Sequence, residues 1–215
     1  MPGIVRTAVN KLPTTYLTLL LLLLLGCNDE VDYGIGEYRV DLVKVISGSE
    51  FSLLNNDETL LRSSNSLRSY KEGDRILLNY SYSESGNFVK INTATTVFCD
   101  TIIDLSKVKN IGNDALTLEN CWLGLNYLNI TCSFDYYKEK ARVALILERT
   151  SIDNKTCYLS FRYDKNEDTS GSLRRLYASF DLEELLGKPK GEKKIIVSFN
   201  ASNYEKDKCS FEFEY

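Results

Sequence analysis

No histidine occurs anywhere in the 215 residues. That absence excludes Ser-His-Asp and Cys-His catalysis, histidine metal sites, and the commonest general base near neutral pH. The cysteines contain no C-x2-C pair, so a zinc site has no framework. No glycine-rich phosphate loop is present, and Ser85-Gly86 and Gly171-Ser172 lack the context of a nucleophile elbow. Proline occurs only three times, and there is no low-complexity run or internal repeat. Long apolar runs are equally scarce. The single one, Leu17–Leu25 broken by Thr18, is too short to span a bilayer comfortably. These absences predict a protein with no catalytic or metal-ligating residues and no cofactor.

The apolar run has a context. Arg6 and Lys11 precede it and Gly26-Cys27 follows, which is the layout of a secretory signal. Leu24-Leu25-Gly26-Cys27 resembles a bacterial lipobox. Small Gly26 suits a peptidase cutting before Cys27, whose sulfur is the nucleophile that takes the lipid. Residues 1–26 are therefore read as a lipoprotein signal peptide, Cys27 as the lipidation site, and the membrane as a partner reached through that lipid. Residues 27–36 read as an acidic tether with Asp29, Glu30 and Asp32. The first 26 residues hold two basic and no acidic side chains, so the rest carries 24 against 30, a net charge of −6. Spread along the chain, that balance argues against nucleic acid as a partner.

Hydrophobic residues make up 43%, with 14 Tyr and 9 Phe, which suits a folded, aromatic-rich β protein. Residues 37–104 read as short strands separated by turns: Tyr38-Val40-Leu42 alternates with polar residues, and Ile76, Leu78, Tyr80 and Tyr82 share one face. Roughly five such strands fit a small closed barrel, because closure removes exposed edges. Residues 105–215 give about seven more strands at the spacing of a sandwich. There Leu116, Leu118 and Trp122 share one face, opposite Glu119 and Cys121. One helical turn follows Asp181. The predicted class is all-β, a small OB-like barrel followed by an immunoglobulin-like β-sandwich.

Apart from Cys27, cysteines stand at 99, 121, 132, 157 and 209. Five is odd, so at least one is free or pairs between chains. Strand phase turns Cys132, Cys157 and Cys209 inward as small buried hydrophobes, with a Cys132–Cys157 disulfide as the sharper alternative.

Several segments together resemble the NigD-like lipoproteins of Bacteroidota. They are the lipobox, Leu53–Leu60, Tyr70-Lys71-Glu72-Gly73-Asp74-Arg75 running on to Tyr80, Trp122 with Tyr127-Leu128-Asn129-Ile130, Tyr158–Tyr163, and Ser179-Phe180-Asp181-Leu182. The similarity covers residues 27–215. It implies an OB-like barrel plus a sandwich but assigns no mechanism or site residues. Ala144 and Tyr163 stand in regions where members often have histidine. In such bacteria the acids after Cys27 resemble a signal for the outer face of the outer membrane, which places the chain in the cell envelope. Asp100-Thr101-Ile102 likewise matches their short O-glycosylation pattern, marking Thr101 at the expected interdomain linker.

Asp164, Asn166 and Asp168 have the spacing of a calcium loop, but Thr169 and Arg175 occupy the positions that need Gly and Glu. The expected function is a non-catalytic accessory module that binds an envelope protein or a glycan. A carbohydrate hydrolase working through two carboxylates alone, and a bacteriocin-related immunity or structural lipoprotein, are the alternatives.

Overall fold

Alternating side chains build the first sheet. In β4 (Arg75–Tyr82), Ile76, Leu78 and Tyr80 are fully buried while Leu77, Asn79 and Ser81 between them are half-buried. The computed structural model describes residues 38–47, 52–54, 60–63, 69–82, 88–136, 142–166, 171–186, 193–205 and 209–214. The signal segment, Cys27 and the tether lie outside the described residues. With β1 (Tyr38–Ser47), β2 (Ser52–Leu54), β3 (Leu60–Ser63) and β5 (Phe88–Thr96), strand β4 forms a closed barrel in the order β1-β2-β3-β5-β4. Only the β3–β5 pairing is parallel. The barrel core is small: Val43, Val45, Leu61, Ile76, Leu78, Tyr80 and Val89. Inside it the Tyr80 hydroxyl donates to Asp41 Oδ2 at 2.7 Å. Burial, then that bond, raises the Tyr80 pKa far above its ordinary value.

A single buried residue, Val97, separates β5 from β6 (Phe98–Asp104). Strand β6 does not belong to the barrel by hydrogen bonding. Its first half pairs in parallel with β11 (Ser172–Asp181) and its second half with β9 (Arg142–Thr150). It thereby sits mid-sheet in the order β13-β12-β10-β9-β6-β11-β8-β7. The other members are β7 (Thr117–Gly124), β8 (Tyr127–Tyr136), β10 (Thr156–Asp164), β12 (Lys194–Phe199) and β13 (Ser210–Glu214). The change of sheet thus falls at Val97, ahead of the boundary at 104 read from the sequence. Residues Gly36–Tyr215 form one compact unit.

The eight-stranded sheet folds over a core crossed by aromatics. Phe161 meets Phe180 and Phe199 at 5.8 Å between ring centres, and Phe134 stacks on Tyr163 at 4.4 Å. The free edge of β7 is zipped to the chain beyond β12. Leu116 bridges Ala201, and the Asn203 side-chain amide bonds both the N–H and the C=O of Leu118, at 3.0 and 2.8 Å. A β-bulge breaks the β7–β8 register between Leu118 and Asn120. The inward phase therefore passes from Leu118 to Cys121, which is buried, and Trp122 is half-buried. This reverses the expected faces of Cys121 and Trp122. After β11, the Asp181 carboxylate accepts from the Glu183 N–H and caps a short helix, α1 (Glu183–Leu186).

Candidate binding cleft at the barrel–sandwich junction

The outward face of the barrel supplies the junction. Tyr70 to Arg75 approaches it through a tight turn: Gly73 adopts φ +90°, a region that favours glycine, and its N–H donates to Val45 C=O at 2.8 Å. The Tyr70 hydroxyl donates to Ala94 C=O, and the Lys71 N–H to Asp74 Oδ2. So fixed, Arg75 enters β4 one position out of phase with inward Ile76 and points away from the barrel core. Lys44 is its cross-strand partner on β1, likewise alternating with inward Val43 and Val45.

Both cations meet the sandwich at one ring. Arg75 Cζ lies 4.7 Å and Lys44 Nζ 5.9 Å from the centre of Tyr127, which offsets the repulsion of two like charges set side by side. Arg75, 3% exposed, donates from Nη2 to Asn129 Oδ1 at 2.9 Å, and the same oxygen accepts from the Ser179 hydroxyl at 2.7 Å. Asn129 and Ser179 are fully buried. Burial lowers the Arg75 pKa from its ordinary value, with the nearby Tyr127 phenol opposing. A buried guanidinium needs such partners, since leaving one charge unpaired costs several kcal/mol, on the order of 3–5. This trio is a clasp between β4, β8 and β11.

Beside the clasp opens a cavity of about 640 Å³ lined by Tyr70, Gly73, Asp74 and Arg75 from the barrel, Val97, and Cys99, Asp100, Thr101, Tyr127 and Asp181 from the sandwich. A second hollow of about 420 Å³ shares Thr101 and Asp181 and runs on past Asp104, Lys107, Glu183 and Glu184. Desolvation pushes the Cys99 thiol up from its ordinary value, more than Arg75 beside it pulls it down, so Cys99 is not an activated thiolate. The carboxylates of Asp74, Asp100 and Asp181 and the Thr101 hydroxyl stand among apolar surface in the lining, a mixture that recognises polar ligands by hydrogen bonds.

The residues singled out from the sequence fall differently. Thr101 has an exposed side chain that lines both hollows, but it lies within paired strand β6, opposite Asp181, and not in a linker. Cys132 and Cys157 are buried free thiols and form no bridge with each other. Burial pushes the Cys121 and Cys132 thiols up to about 12. Asp164 is occupied by Arg142 Nη2 at 2.5 Å and the Asn166 N–H at 2.8 Å, so its carboxylate serves the loop itself. Among the described residues no group of His, Cys, Asp or Glu side chains is arranged to hold a metal ion. The clasp itself was missed. Arg75 and Asn129 stood in separate motifs 54 positions apart, and nothing local to either announces the pairing.

Fold and junction together define an all-β protein in which a closed five-stranded barrel is fused to a β-sandwich. The family model for the NigD-like C-terminal beta sandwich domain matches residues 101–215, and the chain belongs to that family. No curated protein matches the chain. Solved structures share the fold. A protein of unknown function from Bacteroides vulgatus aligns at 21% identity with a TM-score of 0.67, over 83% of this chain and 91% of that one. A NigD-like immunity protein from Bacteroides caccae aligns at 19% with a TM-score of 0.63, over 82% and 96%. A protein designated a lipoprotein from Bacteroides fragilis aligns at 12% with a TM-score of 0.59, over 83% and 96%.

Proposed function

We propose that this is a cell-envelope protein, held by an acyl group on Cys27 at the outer membrane, that acts by binding and has no catalysis of its own. The junction cleft is its recognition site, for an envelope protein or a glycan. One observation carries this reading. Residues from three separated motifs, Gly73 and Arg75, Tyr127 and Asn129, and Ser179 and Asp181, converge on one clasp and the cavity beside it. The NigD-like immunity protein and the designated lipoprotein among the structural neighbours support an accessory or immunity role in the envelope.

The cleft is tested with Asp100→Ala, which alters an exposed lining residue outside the clasp. Purified protein is screened against a glycan array and against defined envelope proteins. Saturable binding that Asp100→Ala weakens at least about fivefold, roughly 1 kcal/mol, is the expected result. Binding that the variant leaves untouched removes the cleft as the site. The anchor is read separately, by metabolic labelling with palmitate. Wild-type chain takes up label and Cys27→Ser does not; equal labelling of both sinks the lipid assignment.

A further inference from the structure

The barrel has two ends with opposite chemistry. One end carries Lys44 and Arg75 and meets the sandwich at Tyr127. The other gathers exposed apolar groups: Tyr38 and Val40 at the start of β1, Tyr82 at the end of β4, and Phe88 at the start of β5. Strand register makes them neighbours. Tyr38 lies opposite Ser81, Tyr82 opposite Val89, and Phe88 opposite Arg62 of β3. Their exposures are 64%, 52%, 38% and 45%. Among the described residues of the sandwich, the exposed large apolar side chains Phe98, Leu105, Ile152, Leu173 and Tyr204 are spread over different strands and loops. Exposed Arg39 and Arg62 stand among these groups, Arg39 with its guanidinium 5.3 Å over the Tyr82 ring. On a chain of net negative charge, this end thus presents arginines with aromatic rings.

We propose that this aromatic rim docks on the surface of the lipid bilayer. The proposal rests on the reading of Cys27 as the lipidated residue. Two arguments select a membrane as occupant. The first is reach. Cys27 lies eleven positions before Tyr38, so a fully extended tether spans at most about 40 Å, and the rim is where that tether enters the barrel. The second is composition. Tyrosine and phenylalanine edges favour the headgroup layer, and arginines beside them pair with anionic headgroups while their stems stay on apolar surface. The docked barrel turns its sandwich end, and so the cleft, away from the bilayer, because β1 runs from the rim at Tyr38 to Lys44 at the junction.

The test uses residues 28–215, which contain the whole compact unit and no lipid. Cosedimentation is measured with vesicles of phosphatidylethanolamine and phosphatidylglycerol, and with phosphatidylcholine vesicles. The expected result is weak binding to the anionic vesicles, lower on phosphatidylcholine, and about tenfold weaker in the triple variant Tyr38→Ser, Tyr82→Ser, Phe88→Ser. A conservative Phe88→Trp variant reports independently: its emission shifts to the blue with anionic vesicles and is quenched by brominated lipid. Absence of binding to either vesicle overturns the docking, while palmitate on Cys27 would leave the anchor reading intact. Binding that the triple variant does not change also overturns it. So does concentration-dependent dimerisation lost in that variant, which would assign the rim to a second copy of the chain.

Discussion

The barrel and the sandwich solve the problem of sheet edges in different ways. The barrel closes on itself but encloses only a handful of side chains around Tyr80. The sandwich leaves its sheet open, yet buries an aromatic-rich core several strands wide and mends one edge through Leu116–Ala201 and Asn203. Small cores supply little stability by themselves. The barrel accordingly leans on its neighbour, with Arg75 as the most buried charge that passes between them. Closure is a matter of hydrogen bonding, and it does not substitute for buried area.

The sharpest way to break that contrast is at the larger core. Phe180→Ala removes a fully buried ring that contacts Phe161 and Phe98, and is expected to lower stability by about 3–5 kcal/mol in urea titration. Because the sandwich supports the barrel, both should unfold in one transition. Arg75→Ala comes next, at about 2–3 kcal/mol, because it strips the buried Asn129 oxygen of its charged donor and leaves it only the Ser179 hydroxyl. Its signature differs: hydrogen exchange along the urea series should report loss of the barrel strands before the sandwich strands, giving two transitions. A single transition would mean that the clasp does not couple the two.

Tyr80→Phe tests the barrel alone, at about 1–2 kcal/mol. Tyr80 also has a raised pKa in the folded chain. Its contribution is fully present below the ordinary tyrosine value, about 10, and is lost as pH rises above it, because only the unfolded chain ionises there. Wild-type stability should therefore fall in alkali more steeply than that of Tyr80→Phe. The smallest effect lies on the sandwich surface. Glu148, held below the usual glutamate range by Ser160 and Arg162, adds stability that is present at neutral pH and lost as pH falls through its folded value. With both partners partly exposed, Arg162→Ala should cost no more than about 1 kcal/mol and leave a shallower acid limb.

Much of this architecture was legible in the chain, because alternation is a direct imprint of a half-buried strand. Ile76, Leu78 and Tyr80, or Cys157, Leu159, Phe161 and Tyr163, announce which side they bury. The failures have physical causes. A bulge shifts the phase by one residue, so Trp122 and Cys121 exchange faces without any change in pattern up to Leu118. The strand change at Val97 was hidden because Cys99, Asp100 and Thr101, exposed along the cleft, show no apolar alternation. The site was visible only in fragments. The motifs containing Arg75, Asn129 and Ser179 stood out, but a contact between residues about fifty positions apart leaves no periodic trace.

The passage from β5 through Val97 into β6 has a consequence for inheritance. The backbone that leaves the barrel at once becomes an interior strand of the next sheet, flanked on both sides by other strands. A recombination event that carried off residues 105–215 would leave that sheet without the strand joining β9 to β11, in two disconnected halves. Evolution can vary the loops of such a protein, but it has to transmit barrel and sandwich as one piece.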